Sequence, residues 1–329
     1  MTIIHTVTVV KQKKYIYIMG IKHLNNFLTN TCKKETIAKT HLSMFSGKSV
    51  VVDASIYMYR FIGENKLVEN LYSMISIFLN YNITPIFVFD GAPPPGKKEI
   101  LLERRENKRC AKEKYDLLKQ KNDHDTEEME KLKKQFIHIK DADYIVVRSL
   151  LDHCGIAWVT APGEADELCA HMLHTNKAYA CLSDDMDMFA YGCLRVFRHF
   201  SLVKHTVLFY DLVEILFELQ MTIQEFRQIV VLSGTDYNKD DSTDLFESIR
   251  WFKKYKKEMV LHEDDAVPSF YQWLFENTKY IQNLDRLNLI LMMFKPKKKI
   301  DYTINQCAFN QRKLCEMLAS YGFIFPQYI

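Results

Sequence analysis

The sequence predicts an α/β fold, a mainly parallel twisted sheet flanked by helices, and three observations predict it. Two short apolar runs, Ser49–Val52 and Ile83–Phe89, each end at an acid, Asp53 and Asp90, as buried parallel strands do. Between them, Leu67–Leu79 sets apolar residues at helical spacing and completes a βαβ unit. Seven acids, Asp53, Asp90, Glu164, Asp166, Asp185, Asp187 and Asp236, then recur where expected strands or strand-to-helix turns end.

The remaining elements follow in order. Residues Met1 to Ile18 alternate apolar positions before Lys11, Lys13 and Lys14 and connect to nothing later, so they are set outside the fold. Pro93-Pro94-Pro95-Gly96 stops regular structure, and Lys97–Lys140 is too charged to be core, with a polar break near Asn122–Thr126. Asp141–Cys154 reads as an amphipathic helix, Ile156–Thr160 as a strand, Pro162-Gly163 as a turn and Glu164–His174 as a helix. The strand Ala178–Leu182 delivers Ser183-Asp184-Asp185-Met186-Asp187. A helix over Asp211–Leu219 precedes one opened by the capping box Thr222-Ile223-Gln224-Glu225, which ends near Ser233-Gly234. Beyond it the pattern is mostly helical, and no internal repeat argues for a solenoid.

The acids carry the chemistry. In an open α/β sheet the ligand crevice lies beyond the carboxyl ends of the strands, so acids distant in sequence can meet there. Converging carboxylates raise one another's pKa and are tolerated chiefly around a hard cation such as Mg²⁺ or Mn²⁺.

Composition narrows the class. A chain of 329 residues makes one large or two medium domains, and 48% apolar residues exclude bulk disorder. A net charge of +3 excludes a blanket polycation and leaves any nucleic-acid surface to local patches. Eight cysteines without a Cys-x-x-Cys pair read as buried thiols in a reducing compartment, and the histidines show no paired ligand spacing apart from His171 and His174 at i, i+3, which read as a helix face and not a zinc site. With no bilayer-length apolar run and no signal-peptide layout, a soluble intracellular protein is expected.

Five strings occur in a telling order: Val-Val-Val-Asp-Ala-Ser (50–55), Val-Phe-Asp-Gly-Ala-Pro-Pro (88–94), Ala-Pro-Gly-Glu-Ala-Asp (161–166), Ser-Asp-Asp-Met-Asp (183–187) and Ser-Gly-Thr-Asp-Tyr (233–237). Together they resemble the flap endonuclease family of structure-specific 5′ nucleases. The likeness runs from Met19-Gly20-Ile21, similar to the family's Met-Gly-Ile start, to about Tyr237, and continues faintly to the end. It implies a nuclease domain over residues 19–237 with an arch insertion at about 93–140, and a helical DNA-binding region over 238–329. Met19 then reads as the true start.

The resemblance implies a two-metal phosphodiesterase. Asp53, Asp90, Glu164 and Asp166 hold one Mg²⁺ and Asp185, Asp187 and Asp236 hold or orient a second, with Mn²⁺ able to substitute. Two ions about 4 Å apart activate a water and stabilise the leaving oxygen at phosphorus. Asp166 departs from the Glu of many relatives, and the shorter arm still offers oxygen ligands. The implied substrate is branched or flapped DNA, cut at single-strand to duplex junctions by a monomer in replication, repair or recombination, and the resemblance also allows 5′ exonuclease activity. A non-catalytic DNA-binding scaffold is the rival; an Asp-x-Asp phosphatase is disfavoured because Ala54-Ser55 follows Asp53.

Further positions carry lesser expectations. Lys97 and Arg104 match the family's basic arch residues and, with Lys108, fall on one helix face at i, i+7 and i+11, where they either meet phosphate or belong to a solvated helix laced with Glu99, Glu103, Glu106 and Glu113. Tyr59 matches an aromatic that stacks on a base; Tyr57, Tyr59 and Phe61 are otherwise core. After Asp236 the family's Gly-Ile-Gly turn is missing, since Asn238–Asp244 has no glycine and several acids, so duplex binding is altered. Arg250, Lys253, Lys254, Lys256 and Lys257, interleaved with Trp251, Phe252 and Tyr255, either take over those phosphate contacts or form an ordinary amphipathic helix. The basic run Lys295–Lys299 reads as an import signal or a phosphate-facing loop. The family's sliding-clamp tail is not seen, and a short member with a divergent duplex motif suits a large DNA virus.

Overall fold

The computed structural model describes residues 20–120, 126–238, 243–259 and 268–325. The extension 1–18 with the candidate start Met19, most of the expected break after Lys121 and residues 239–242 of the divergent turn lie outside them. One seven-stranded sheet has the order β1-β7-β6-β5-β2-β3-β4, with β1 at Ile37–His41, β2 at Ser49–Asp53, β3 at Thr84–Phe89, β4 at Ala157–Thr160, β5 at Ala180–Leu182, β6 at Arg195–Ser201 and β7 at Thr206–Asp211. From β4 to β6 every pairing is parallel; β7 and β1 are antiparallel additions at one edge. The chain leaves β2 towards β3 on one side, while β5 pairs on the other side of β2. The strand order reverses there, which opens a crevice at the carboxyl ends of β2 and β5.

Burial explains the central strands. Val50, Val51 and Val52 of β2 and Phe87, Val88 and Phe89 of β3 are inaccessible because helices cover both faces. One face packs on Ala54–Gly63, Leu67–Asn80 and Asp141–Cys154 in a cluster that includes Phe61, Phe78 and Leu150. The opposite core runs without a break from Ile21 and Leu28 through Leu168 and Met172 into the late helices, at Ile249, Phe252, Trp273 and Ile290. The helix Ala165–His174 and the C-terminal helices therefore share one apolar interior. The outer edge of β4 is met by Asn305, whose N–H and C=O pair with Trp158 at 2.7 and 2.8 Å, so part of that edge is covered.

Several expected elements are found within a residue or two, including the helix Asp141–Cys154 and the Thr222 capping box. The helix Leu24–Thr31 and strands β1, β6 and β7 were not foreseen. β1 and β6 place Lys, His or Arg among their apolar residues, as in Arg195-Val196-Phe197-Arg198-His199, which breaks up the continuous apolar run by which a buried parallel strand is read. The insertion after Asp90 is a short turn over Pro95–Lys97 and two helices, Lys98–Gln120 and Thr126–Gln135. Among the described residues no helix is long and apolar enough to cross a membrane.

Candidate active site

The seven acids gather around the crevice between β2 and β5. Asp53 ends β2 and caps the helix Ala54–Gly63, its Oδ1 accepting from the Ile56 N–H at 3.4 Å and its Oδ2 from the Ser183 hydroxyl at 3.2 Å. Asp90 follows β3; it accepts from Ser55 Oγ at 2.6 Å and from the Ala165 N–H at 2.9 Å, which ties it to the start of the helix Ala165–His174. Glu164 is the N-cap residue of that helix and Asp166 lies in its first turn. Asp185 and Asp187 come from the turn after β5, held by the Asp187 N–H donating to Asp185 Oδ1 at 2.9 Å. Asp236 stands on the loop after the helix Ile223–Leu232.

Two cations enter from the insertion. Lys97, only 8% exposed, pairs with Glu164 and lies 3.5 Å from Asp236, and Arg104 Nη2 meets Asp236 Oδ2 at 2.5 Å. The i, i+7 row thus faces the carboxylates, whereas Glu106 and Glu113 pair with Arg109 at 2.5 and 3.2 Å. Despite burial, which alone would lower it, Glu164, Asp236 and Asp166 raise the Lys97 pKa above its ordinary value. Lys97 therefore stays charged.

The acids remain under mutual strain. Burial pushes Asp53 well above the usual carboxylate range, with Asp90 adding to it; burial and then Asp185 do the same for Asp166 and Asp187. Asp185 rises too, through burial and Asp236, although Lys97 and Arg104 oppose the shift. Asp187 is 4% exposed and its Oδ1 has no hydrogen-bond partner. Among the described residues no three Asp, Glu, His or Cys side chains group closely enough to hold an ion as they stand; Glu164 and Asp236 meet Lys97 and Arg104, Asp90 meets Ser55, and Tyr237 meets Glu164. All seven candidate donors are hard oxygens, and an orphaned buried carboxylate oxygen faces its neighbours, so the set fits a divalent cation of the Mg²⁺ or Mn²⁺ type.

The other expected contacts divide. Tyr57 and Phe61 are fully buried, but Tyr59 is 36% exposed and carries the Lys108 ammonium 4.9 Å from its ring centroid, so this pair forms a cation–aromatic contact between the helices Ala54–Gly63 and Lys98–Gln120. Trp251, Phe252 and Tyr255 turn inward on the helix Leu245–Met259, which removes them as a stacking surface; Arg250, Lys253, Lys254, Lys256 and Lys257 are all exposed. Lys256 binds Glu225 at 2.7 Å and Arg250 binds Glu247 at 3.2 Å. His171 and His174 reach different carbonyls, those of Lys297 and Tyr191, and do not converge.

Sequence reasoning missed three participants. Tyr237 donates its hydroxyl to Glu164, and Lys97 lies 5.1 Å from its ring centroid. Ser55 and Ser183 hold Asp90 and Asp53. All three sit inside the quoted strings, one or two residues from an acid, which is the signal that could have found them. Gly20 was read only as part of a start motif. Its φ is +73°, and a Cβ there would collide with the Asp185 carboxylate and fall 2.6 Å from Asp187 Oδ1, so the chain can pass beside the acids only as glycine.

Comparison with known proteins now decides the family. The XPG N-terminal domain matches residues 19–111 and the XPG I-region matches residues 155–236, stretches that contain all seven acids. The chain belongs to the flap endonuclease family. Flap endonuclease 1 of Glycine max is 30% identical over 238 residues, covering 67% of this chain and 62% of the relative. Flap endonuclease 1 of Methanococcus aeolicus is 26% identical over 287 residues, 82% of each chain. The match thus spans less than two thirds of the Glycine max relative's length. Among solved structures, the catalytic core of Rad2 in complex with DNA substrate superposes with a TM-score of 0.63 at 21% identity, covering 92% of this chain and 95% of that one. Flap endonuclease-1 from Methanococcus jannaschii gives 0.57 at 23%, covering 87% and 91%. These likenesses establish the 5′-nuclease α/β fold for this family member.

Proposed function

We propose that this family member is a divalent-metal-dependent, structure-specific 5′ nuclease that hydrolyses DNA at junctions between single strand and duplex, with 5′ flaps as the first substrate to test. One observation carries the reading: seven carboxylates from separate strand ends and loops meet at the sheet's switch point, with Lys97 and Arg104 reaching into the same crevice. The names of the relatives support flap DNA, and the neighbours in complex with DNA substrate and with Holliday junction DNA support branched DNA more broadly.

In this reading Asp53, Asp90, Glu164 and Asp166 hold one Mg²⁺ and Asp185, Asp187 and Asp236 a second. Bound there, the ions supply a water of lowered pKa and stabilise the leaving oxygen. The chain's own residues do the rest. Asp53 is oriented by Ser183 and Ile56, and Asp90 by Ser55 and Ala165. Tyr237 fixes Glu164. Lys97 and Arg104 exchange their carboxylate partners for the scissile phosphate and steady its charge as the bond breaks. Tyr59 offers a ring face to a base beside that phosphate, and Lys108 holds the adjoining backbone. The exposed cations of 250–257 grip duplex phosphate, and the region 238–329 forms the duplex-binding part.

The test is a panel of end-labelled DNAs, 5′-flap, nicked, blunt duplex and single-stranded, incubated with Mg²⁺ and mapped for product length. Cutting within a nucleotide or two of the flap junction, and several-fold slower cutting of the single strand, is expected. Equal cutting of all four DNAs, or of none, refutes the proposal.

A further inference from the structure

We propose that a groove at the C-terminal end of the helix Ala165–His174 docks a partner-protein segment carrying a carboxylate beside large apolar side chains. The groove encloses about 500 Å³ and opens to solvent, a volume within the range of ligand pockets. Leu194, Leu212, Leu216, Met221 and Ile223 make its walls apolar. Arg227 lines it from the helix Ile223–Leu232. It is eight residues along the helix from Asp166 to His174, roughly 12 Å, so an occupant would leave the carboxylate crevice free.

Arg227 gives the groove its chemical preference. The side chain is 5% exposed, its Nε donates to the Ala190 carbonyl at 2.7 Å, and no carboxylate pairs with it among the described residues. A Cβ on Gly192 would fall 2.9 Å from Nη2 and 3.5 Å from Ile223 Cδ1, which puts the guanidinium against the groove wall. Burial alone pushes its pKa below the ordinary value. A buried cation without an anion is costly, and an entering carboxylate can meet the planar guanidinium with two hydrogen bonds.

The apolar surface extends past the groove. Val213 on its rim is 53% exposed and Phe217, one turn on along Leu212–Leu219, is 78% exposed. At i, i+4 they share a helix face, giving a strip longer than a small carboxylate would cover and suited to a peptide. The occupant is therefore an acidic and apolar segment of another protein, recognised by charge complementarity to Arg227 and by burial of leucine-like or aromatic side chains.

An array of six-residue peptides in which one Asp or Asn and two Leu or Phe residues are permuted, followed by fluorescence polarisation of soluble hits, tests this with the whole chain. Asp peptides are expected to bind at least tenfold tighter than their Asn counterparts. Arg227→Met should remove that preference and Arg227→Lys should keep part of it. Val213→Glu, an exposed change that leaves folding and peptide-free DNA cleavage unaltered, should weaken binding at least tenfold by repulsion. Absence of any binding peptide, equal affinity for Asp and Asn forms, or binding indifferent to Val213→Glu would each overturn the proposal.

Discussion

Asp187 shows what gathering these acids costs. Its buried carboxylate has an oxygen without a partner and faces Asp185 and Asp236. The folded protein binds protons on Asp53, Asp166 and Asp187 more tightly than the unfolded chain does, because all three folded-state pKa values are raised. Their contribution favours folding at pH values below about 4, the unfolded value, and is lost as pH rises through the raised folded values. In the presence of a chelator, Asp187→Asn should therefore raise Tm at pH 8, by roughly 1–2 °C for each kcal/mol of repulsion relieved in a chain of this length, with the gain shrinking towards pH 4. Thermal melts check this, and with saturating Mg²⁺ the wild type should overtake the variant.

Tyr237 is the second residue-scale test. Its hydroxyl donates to Glu164, and a hydrogen bond to a charged group contributes about 1.5–3 kcal/mol. Tyr237→Phe should slow single-turnover cleavage at least tenfold while DNA affinity holds, because the ring that Lys97 touches is retained. The acids were legible in the sequence because each stands at the end of an apolar run or a turn. Tyr237, Ser55 and Ser183 were not, since a hydroxyl that orients a carboxylate leaves no spacing or periodicity of its own.

At the scale of the element, the helix Lys98–Gln120 separates into working and solvated parts. Lys97, in the turn before it, and Arg104 meet the acids, Lys108 covers Tyr59, and Arg109 pairs with Glu106 and Glu113. Lys97→Ala and Arg104→Ala should each cost about 10²–10³ in the rate of the cutting step, whereas Arg109→Ala should leave it within twofold; quench-flow on flap DNA separates these. The helix Leu245–Met259 gives a different prediction. With its aromatics inward, its exposed lysines can act only through phosphate charge, so Lys253→Glu with Lys254→Glu should flatten the dependence of log affinity on log salt by about two charges' worth. An unchanged slope would remove this helix from the interface. Strands β2, β3 and β5 were readable as buried runs leading to acids and β4 as a short run before the Pro162-Gly163 turn, whereas Lys, His and Arg residues interrupt the apolar runs of β1 and β6.

Across the whole molecule, topology does what no segment does alone. Only because β5 pairs beside β2 while β3 pairs on its other side do residues as distant as Asp53, Asp90 and Asp185 border one crevice. The shared core from Ile21 to Ile290 then holds the C-terminal helices on the sheet that carries the acids. The order of the strings foretold the family; it did not reveal the continuous core, which depends on pairings between distant helices that local patterns do not encode. If the crevice is the cleavage centre, wild type and Asp185→Ala should bind a 5′-flap duplex equally in Ca²⁺, and in Mg²⁺ the variant should cut at least 10³-fold more slowly. Cutting by Asp185→Ala within about tenfold of wild type, or binding without cutting by wild type itself, would contradict the assignment.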